Sequence, residues 1–128
     1  MPQIFLMISP DAQQVMTEAA ILRLDWALSR LVRECLGVPV SDIAFSAVNL
    51  SYARNEANLQ VEVRYTAGTD EYGKGEPFDP SEEVQKILSA KMEKAAQDVL
   101  AKRNLHLTVS VWMKPFYRGT FRLPGGGH

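Results

Sequence analysis

Cysteine is nearly missing from this sequence: Cys35 stands alone among 128 residues. A single thiol excludes an internal disulfide and a cysteine-based zinc site. Histidine is almost as scarce, and His106 and His128 do not form a pair by spacing. No metal and no cofactor are therefore expected. An excess of one charge is absent too, since 14 Lys and Arg face 15 Asp and Glu for a net charge of −1. Such a balance leaves no electrostatic footprint for nucleic acid or for an anionic membrane. Long apolar runs are also lacking: the stretch within MPQIFLMISP is far too short to span a bilayer. Without a basic n-region or a small-residue cleavage site it does not read as a secretory signal. The expectation is a cytoplasmic protein with neither nucleic-acid nor membrane partners.

What is present suits one ordinary domain. Apolar residues make up 46% and charged residues 23%, and the length is enough to bury a real core. Gln3 to Ile8 is short, apolar and closed by Ser-Pro, so it reads as a strand. Ser9 suits a helix N-cap, Pro10 the first helical position and Asp11 the positive helix end. Ile21, Leu24, Leu28, Leu31 and Cys35 recur at three- and four-residue spacing, one core-facing helical stripe. Gly37 and Pro39 then stop that helix.

A second strand is expected over Asp42 to Leu50, and LQVEVRY forms the clearest strand, with Leu59, Val61, Val63 and Tyr65 facing one way. The loop Thr66 to Pro80 carries three glycines and two prolines, and loops of that length are often functional. Asp79-Pro80-Ser81-Glu82 resembles a capping box with proline at the first helical position. Val84, Leu88, Met92, Ala95 and Val99 mark the inner face of the helix that follows, ending near Lys102. His106 to Met113 reads as a fourth strand before a tail rich in aromatics and arginine.

The order strand, helix, strand, strand, helix, strand makes two βαβ units in series, each with parallel strands. The first unit spans about 2–50, the second about 58–113, and a tail covers 114–128. Both helices would lie on one sheet face. The other face, with Gln60, Glu62, Arg64, Thr108 and Ser110, suits the interior of an oligomer.

Met1-Pro2 runs straight into the first strand of this tandem layout, and GVPVSD and PSEEVQK stand at the later junctions. On these residues the chain resembles the tautomerase superfamily, which includes 4-oxalocrotonate tautomerase and macrophage migration inhibitory factor. The resemblance implies a tandem βαβ-βαβ α/β fold with a four-stranded mixed sheet and two helices on one face. It also implies a homotrimer, and catalysis by the terminal proline once the initiator methionine is lost.

A secondary amine set among apolar groups loses solvation of its ammonium form and becomes a usable base near neutral pH. Phe5, Tyr65, Trp112, Phe116 and Tyr117 are the candidates for such a pocket. Pro2 would then move a proton on a small 2-oxo- or enol-carboxylic acid. The carboxylate and developing enolate need a cation, and arginine's planar fork binds carboxylates through two bonds. Arg64 is the first candidate, followed by Tyr117 and Arg118 after the last strand and Lys74 in the glycine-rich loop. In decarboxylases of the family an aspartate follows a similar glycine-valine-proline turn, which makes Asp42 an auxiliary candidate alongside Trp112.

Blander readings stand beside each of these. Pro2 serves equally as a strand starter, Arg64 as a partner for Glu62, and Asp42 as a local turn residue. The loop ISPDAQQ lacks the arginine that many members carry there, which leaves the substrate class open and also a member that has lost activity. Decarboxylase, hydratase or dehalogenase chemistry, with Asp42 or a tail residue activating water, is a sibling reading on the same fold. A non-catalytic ferredoxin-like module is the other alternative, and strand order separates it: ferredoxin-like folds interleave the two units, whereas tautomerases keep each unit's own strands adjacent and parallel.

Overall fold

Alternation in the strands and caps at the helix ends set the architecture of the chain. A computed structural model describes residues 2–53, 57–67 and 81–117. Strand β1 (Gln3–Ile8) leads into a single helical turn, α1 (Pro10–Gln13), and then helix α2 (Glu18–Leu36). A 3-10 turn at Val40–Asp42 precedes β2 (Ala44–Asn49). The second half comprises β3 (Leu59–Ala67), α3 (Glu82–Ala101) and β4 (Val109–Tyr117).

The sheet order is β2-β1-β3-β4. β1 pairs in parallel with β2, and β3 with β4, while β1 and β3 meet antiparallel at the centre. Each unit's strands are thus adjacent and parallel, which excludes the interleaved ferredoxin-like arrangement. Ile4, Leu6 and Ile8 of β1 and Leu59, Val61, Val63 and Tyr65 of β3 are buried on one face. Leu24, Leu28 and Val32 of α2 and Leu88, Met92, Ala96 and Leu100 of α3 complete that core. Truncating one such leucine to alanine typically costs about 2–5 kcal/mol.

Four boundaries differ from the sequence reading. The first helical region is two elements, because the Thr17 hydroxyl accepts the Ala20 N–H and caps a fresh start at Glu18. α3 is capped by Ser81, whose hydroxyl accepts the Val84 N–H, so the capping role belongs to Ser81 and not to Asp79. β2 begins at Ala44 and leaves Asp42 in the 3-10 turn. β4 begins at Val109 and runs through Tyr117, so 114–117 is strand and the tail begins later. Pro115 is tolerated because β4 is an edge strand whose odd residues point their backbone groups away from β3. The inner stripe of α3 is also shifted, since Ala96 and Leu100 are buried where Ala95 and Val99 were expected.

Gly37 has φ of 70° and its N–H bonds the Arg33 carbonyl at 2.9 Å, the left-handed close expected at the end of α2. Among the described residues, no helix is long and apolar enough to cross a membrane.

Candidate site at the head of the first strand

Pro2 is buried at the N-terminal end of β1. Its carbonyl accepts the Ala44 N–H at 3.1 Å, which locks the head of β1 to the head of β2. The same lock sets the 3-10 turn ending at Asp42 beside the start of β1, since Asp42 lies two positions ahead of Ala44. On the other flank, Gln3 pairs with Arg64 of β3, and the buried Tyr65 follows. Pro2, Asp42, Arg64 and Tyr65 are thereby brought to one end of the sheet.

Period-two alternation sends Arg64 to the sheet face that carries no helix. Its guanidinium lies over the Phe5 ring at 4.4 Å from the centroid, and Nη2 donates to Glu62 Oε2 at 2.8 Å. The Glu62 side chain is only 16% exposed and also faces Lys114 Nζ at 4.0 Å. Arg64 and Lys114 sit side by side in register across β3 and β4. Two cations therefore share one carboxylate, and this patch carries a net positive charge. Stacking on an aromatic face and pairing with a nearly buried carboxylate hold the Arg64 fork in one orientation. Its side chain remains 41% exposed, so the outer edge of the fork is open to a second anion.

The pairing of Arg64 with Glu62 is the bland expectation for it, and its register places it at the same end of the sheet as Pro2, on the opposite face. Trp112 does not join the head of β1: it is 52% exposed, its place on β4 pairs with Glu62 of β3, and its Nε1 donates to Ser110 Oγ at 3.3 Å. Phe5 lies three residues along β1 from Pro2 and on the opposite sheet face, under Arg64. The backbone of Tyr117 pairs with Ala67 at the C-terminal end of β4, which is the end of the sheet where β1 begins. Lys74, Arg118, the loop 68–80 and the tail 118–128 lie outside the described residues.

Lys114 is the residue that the sequence reading missed. Its signal was the parity of Ser110, Trp112 and Lys114, hidden by ending the strand at Met113. An open cavity of about 300 Å³ also went unforeseen; Ser9, Asp11, Ser51, Tyr52 and Asn58 are among its lining residues. It lies at the C-terminal end of β1, about 20 Å from Pro2 at the usual strand rise. Among the described residues, no group of three or more His, Cys, Asp or Glu is placed to hold a metal ion.

The sequence matches no family model and no curated protein. Solved structures do match over nearly the whole chain. Pt0534 inactivated by 2-oxo-3-pentynoate is 16% identical with a TM-score of 0.66, covering 97% of this chain and 93% of its own. A fused 4-OT described as a wild-type symmetric trimer is 19% identical with a TM-score of 0.64, covering 90% and 85%. Wild-type, mutant and inactivated malonate semialdehyde decarboxylase is 12% identical with a TM-score of 0.60, covering 97% and 90%. A four-stranded mixed sheet paired as two parallel βαβ units is common ground with these proteins: the chain has the tautomerase-superfamily fold.

Proposed function

We propose that this chain is a tautomerase-type isomerase acting on a small 2-oxo- or enol-carboxylic acid. The observation that carries the reading is the buried Pro2 at the head of β1, with a fixed, half-exposed arginine one register position away. Once Met1 is removed, the Pro2 nitrogen is a secondary amine with a lone pair. In its burial site that lone pair takes a proton from the enol hydroxyl or the carbon next to a carbonyl and returns it at the other end of the system. The Arg64 fork, aided by Lys114, holds the substrate carboxylate and stabilises negative charge as it develops on oxygen. Inactivation of the similar Pt0534 by 2-oxo-3-pentynoate supports a 2-oxo acid as the substrate class.

The chain assembles as a homotrimer in this reading, as the fused 4-OT structures do. Its uncovered sheet face, with Phe5, Met7, Val48 and Trp112 among charged groups, is then the surface turned inward. The protein is cytoplasmic. Asp42 beside the head of β1 supports a second reading, decarboxylation or hydration with that carboxylate orienting water, in line with the similarity to malonate semialdehyde decarboxylase.

The test is ketonisation of an aryl enolpyruvate, followed by ultraviolet absorbance, for the wild-type chain and Pro2→Ala. The proposal expects turnover that falls about 100-fold or more in the variant. Equal rates in the two proteins would dispose of it, and turnover of a 3-oxo acid with release of carbon dioxide would favour the Asp42 reading.

A further inference from the structure

Among the described residues, the charged side chains of the uncovered sheet face are Glu62, Arg64 and Lys114; its other members, such as Phe5, Met7, Ser46, Val48 and Trp112, are uncharged. The three charges form one cluster. Phe5, Glu62 and Trp112 stand in register across β1, β3 and β4, and Gln3, Arg64 and Lys114 in a row nearer the head of β1. Arg64 reaches over the Phe5 ring at 4.4 Å and Lys114 over the Trp112 ring at 5.6 Å, so both cations lean toward the Glu62 row. Glu62 Oε2 accepts from Arg64 Nη2 at 2.8 Å, and Oε1 faces Lys114 Nζ at 4.0 Å. Each oxygen of this carboxylate thus serves one cation. The Glu62 side chain is 16% exposed, whereas those of Arg64 and Lys114 are 41% and 48% exposed. The negative charge is sunk between two cations that still face outward.

Two cations against one carboxylate leave a surplus of one positive charge, which a single further carboxylate balances. A second would find no cation left to meet it. It would instead face Glu62 at close range and partly shielded from water, where like charges repel strongly. The Phe5 and Trp112 rings on either side of Glu62 offer contact to an uncharged tail. We propose that Glu62 sets the choice of substrate at this site, admitting an acid with one carboxylate and an uncharged tail and rejecting a dicarboxylate. The inference rests on Arg64 and Lys114 receiving the substrate carboxylate, as in the proposed function, and adds the charge of the rest of the substrate. Glu62 is a positioning residue, since it touches the two cations and not the reacting atoms. Discrimination comes from repulsion of the wrong acid and not from extra bonds to the right one. A Glu62 that only braced the Arg64 fork would strengthen or weaken both kinds of acid together.

Adipate and its monoamide, adipamate, have the same length and differ by one charge. Their affinities for the full chain are measured by isothermal titration calorimetry at neutral pH and low salt, for the wild type, Glu62→Gln and Lys114→Gln. The wild type should bind adipamate about 10-fold more tightly than adipate. Glu62→Gln keeps an oxygen for the Arg64 fork and removes the charge, so it should tighten adipate about 10-fold or more and reverse the preference. Lys114→Gln removes the surplus charge and should weaken adipamate about 10-fold. The wild-type ratio and the Lys114→Gln result decide the matter even where Glu62→Gln folds poorly. A wild type that binds neither acid, or that prefers adipate, would overturn the proposal. So would a folded Glu62→Gln that keeps the wild-type ratio. Because the readout is binding, a failure of Pro2 chemistry leaves these ratios standing: bound adipamate with no turnover of an aryl enolpyruvate counts against the catalytic reading alone.

Discussion

The residue just ahead of the first strand differs in the two halves. Asn58 precedes β3 and is clasped: its Oδ1 accepts the Thr108 N–H at 3.0 Å, and its own N–H donates to the Thr108 hydroxyl at 2.9 Å. Pro2 precedes β1, has no side-chain hydrogen-bonding group, and is tied only through its carbonyl to Ala44. Yet Pro2 is buried. One half thus starts its sheet with a side-chain clasp to the neighbouring strand, and the other, among the described residues, with a backbone carbonyl bond. Under the proposed function, chemistry supplies the reason for Pro2, while the hydrogen bonds to Thr108 supply the reason for Asn58.

Substitutions sharpen that contrast. Pro2→Ala should lower kcat/KM for an aryl enolpyruvate by about 100-fold or more and leave the melting temperature nearly unchanged. A variant that melts early and keeps its turnover would make Pro2 another Asn58. Arg64→Ala should lower kcat/KM by about 10- to 100-fold, the loss of charge-assisted hydrogen bonds worth about 1.5–3 kcal/mol. Lys114→Ala should cost less, and the double variant should not sum, since both cations share Glu62. Steady-state kinetics on the three proteins settles that ordering.

Asn58→Ala inverts the pattern. It should destabilise the fold by about 1 kcal/mol, a few degrees in a thermal melt, and change turnover little. Gln13→Ala tests a similar clasp at the other end of β1, where Nε2 donates to Ile8 and Leu50 carbonyls at 2.9 and 2.7 Å. A loss of about 1 kcal/mol in chemical denaturation is expected there as well.

The strand alternation in LQVEVRY was legible because a buried face needs period-two packing, and the same rule placed Arg64 on the uncovered face. Gly37 was legible because a helix end in the left-handed region favours glycine. The break at Thr17 was less so: a capping threonine inside an apolar stripe gives the same spacing as a continuous helix. Pro115 hid the last turns of β4, since proline in a strand is acceptable only where the edge is already known. That error concealed Lys114. The proximity of Asp42 to Pro2 depends on parallel pairing across more than thirty residues of chain, which no local pattern carries. Arg64 exposes another limit, because one guanidinium can both brace Glu62 and receive an anion, and composition does not separate the two.

The most direct measurement is the intact and tandem mass of the purified chain after exposure to 2-oxo-3-pentynoate. The account predicts a chain that has lost Met1 and carries one adduct, on the Pro2 nitrogen. A chain that keeps Met1, or that takes the label at Lys114 or another side chain while Pro2 stays unmodified, would contradict it.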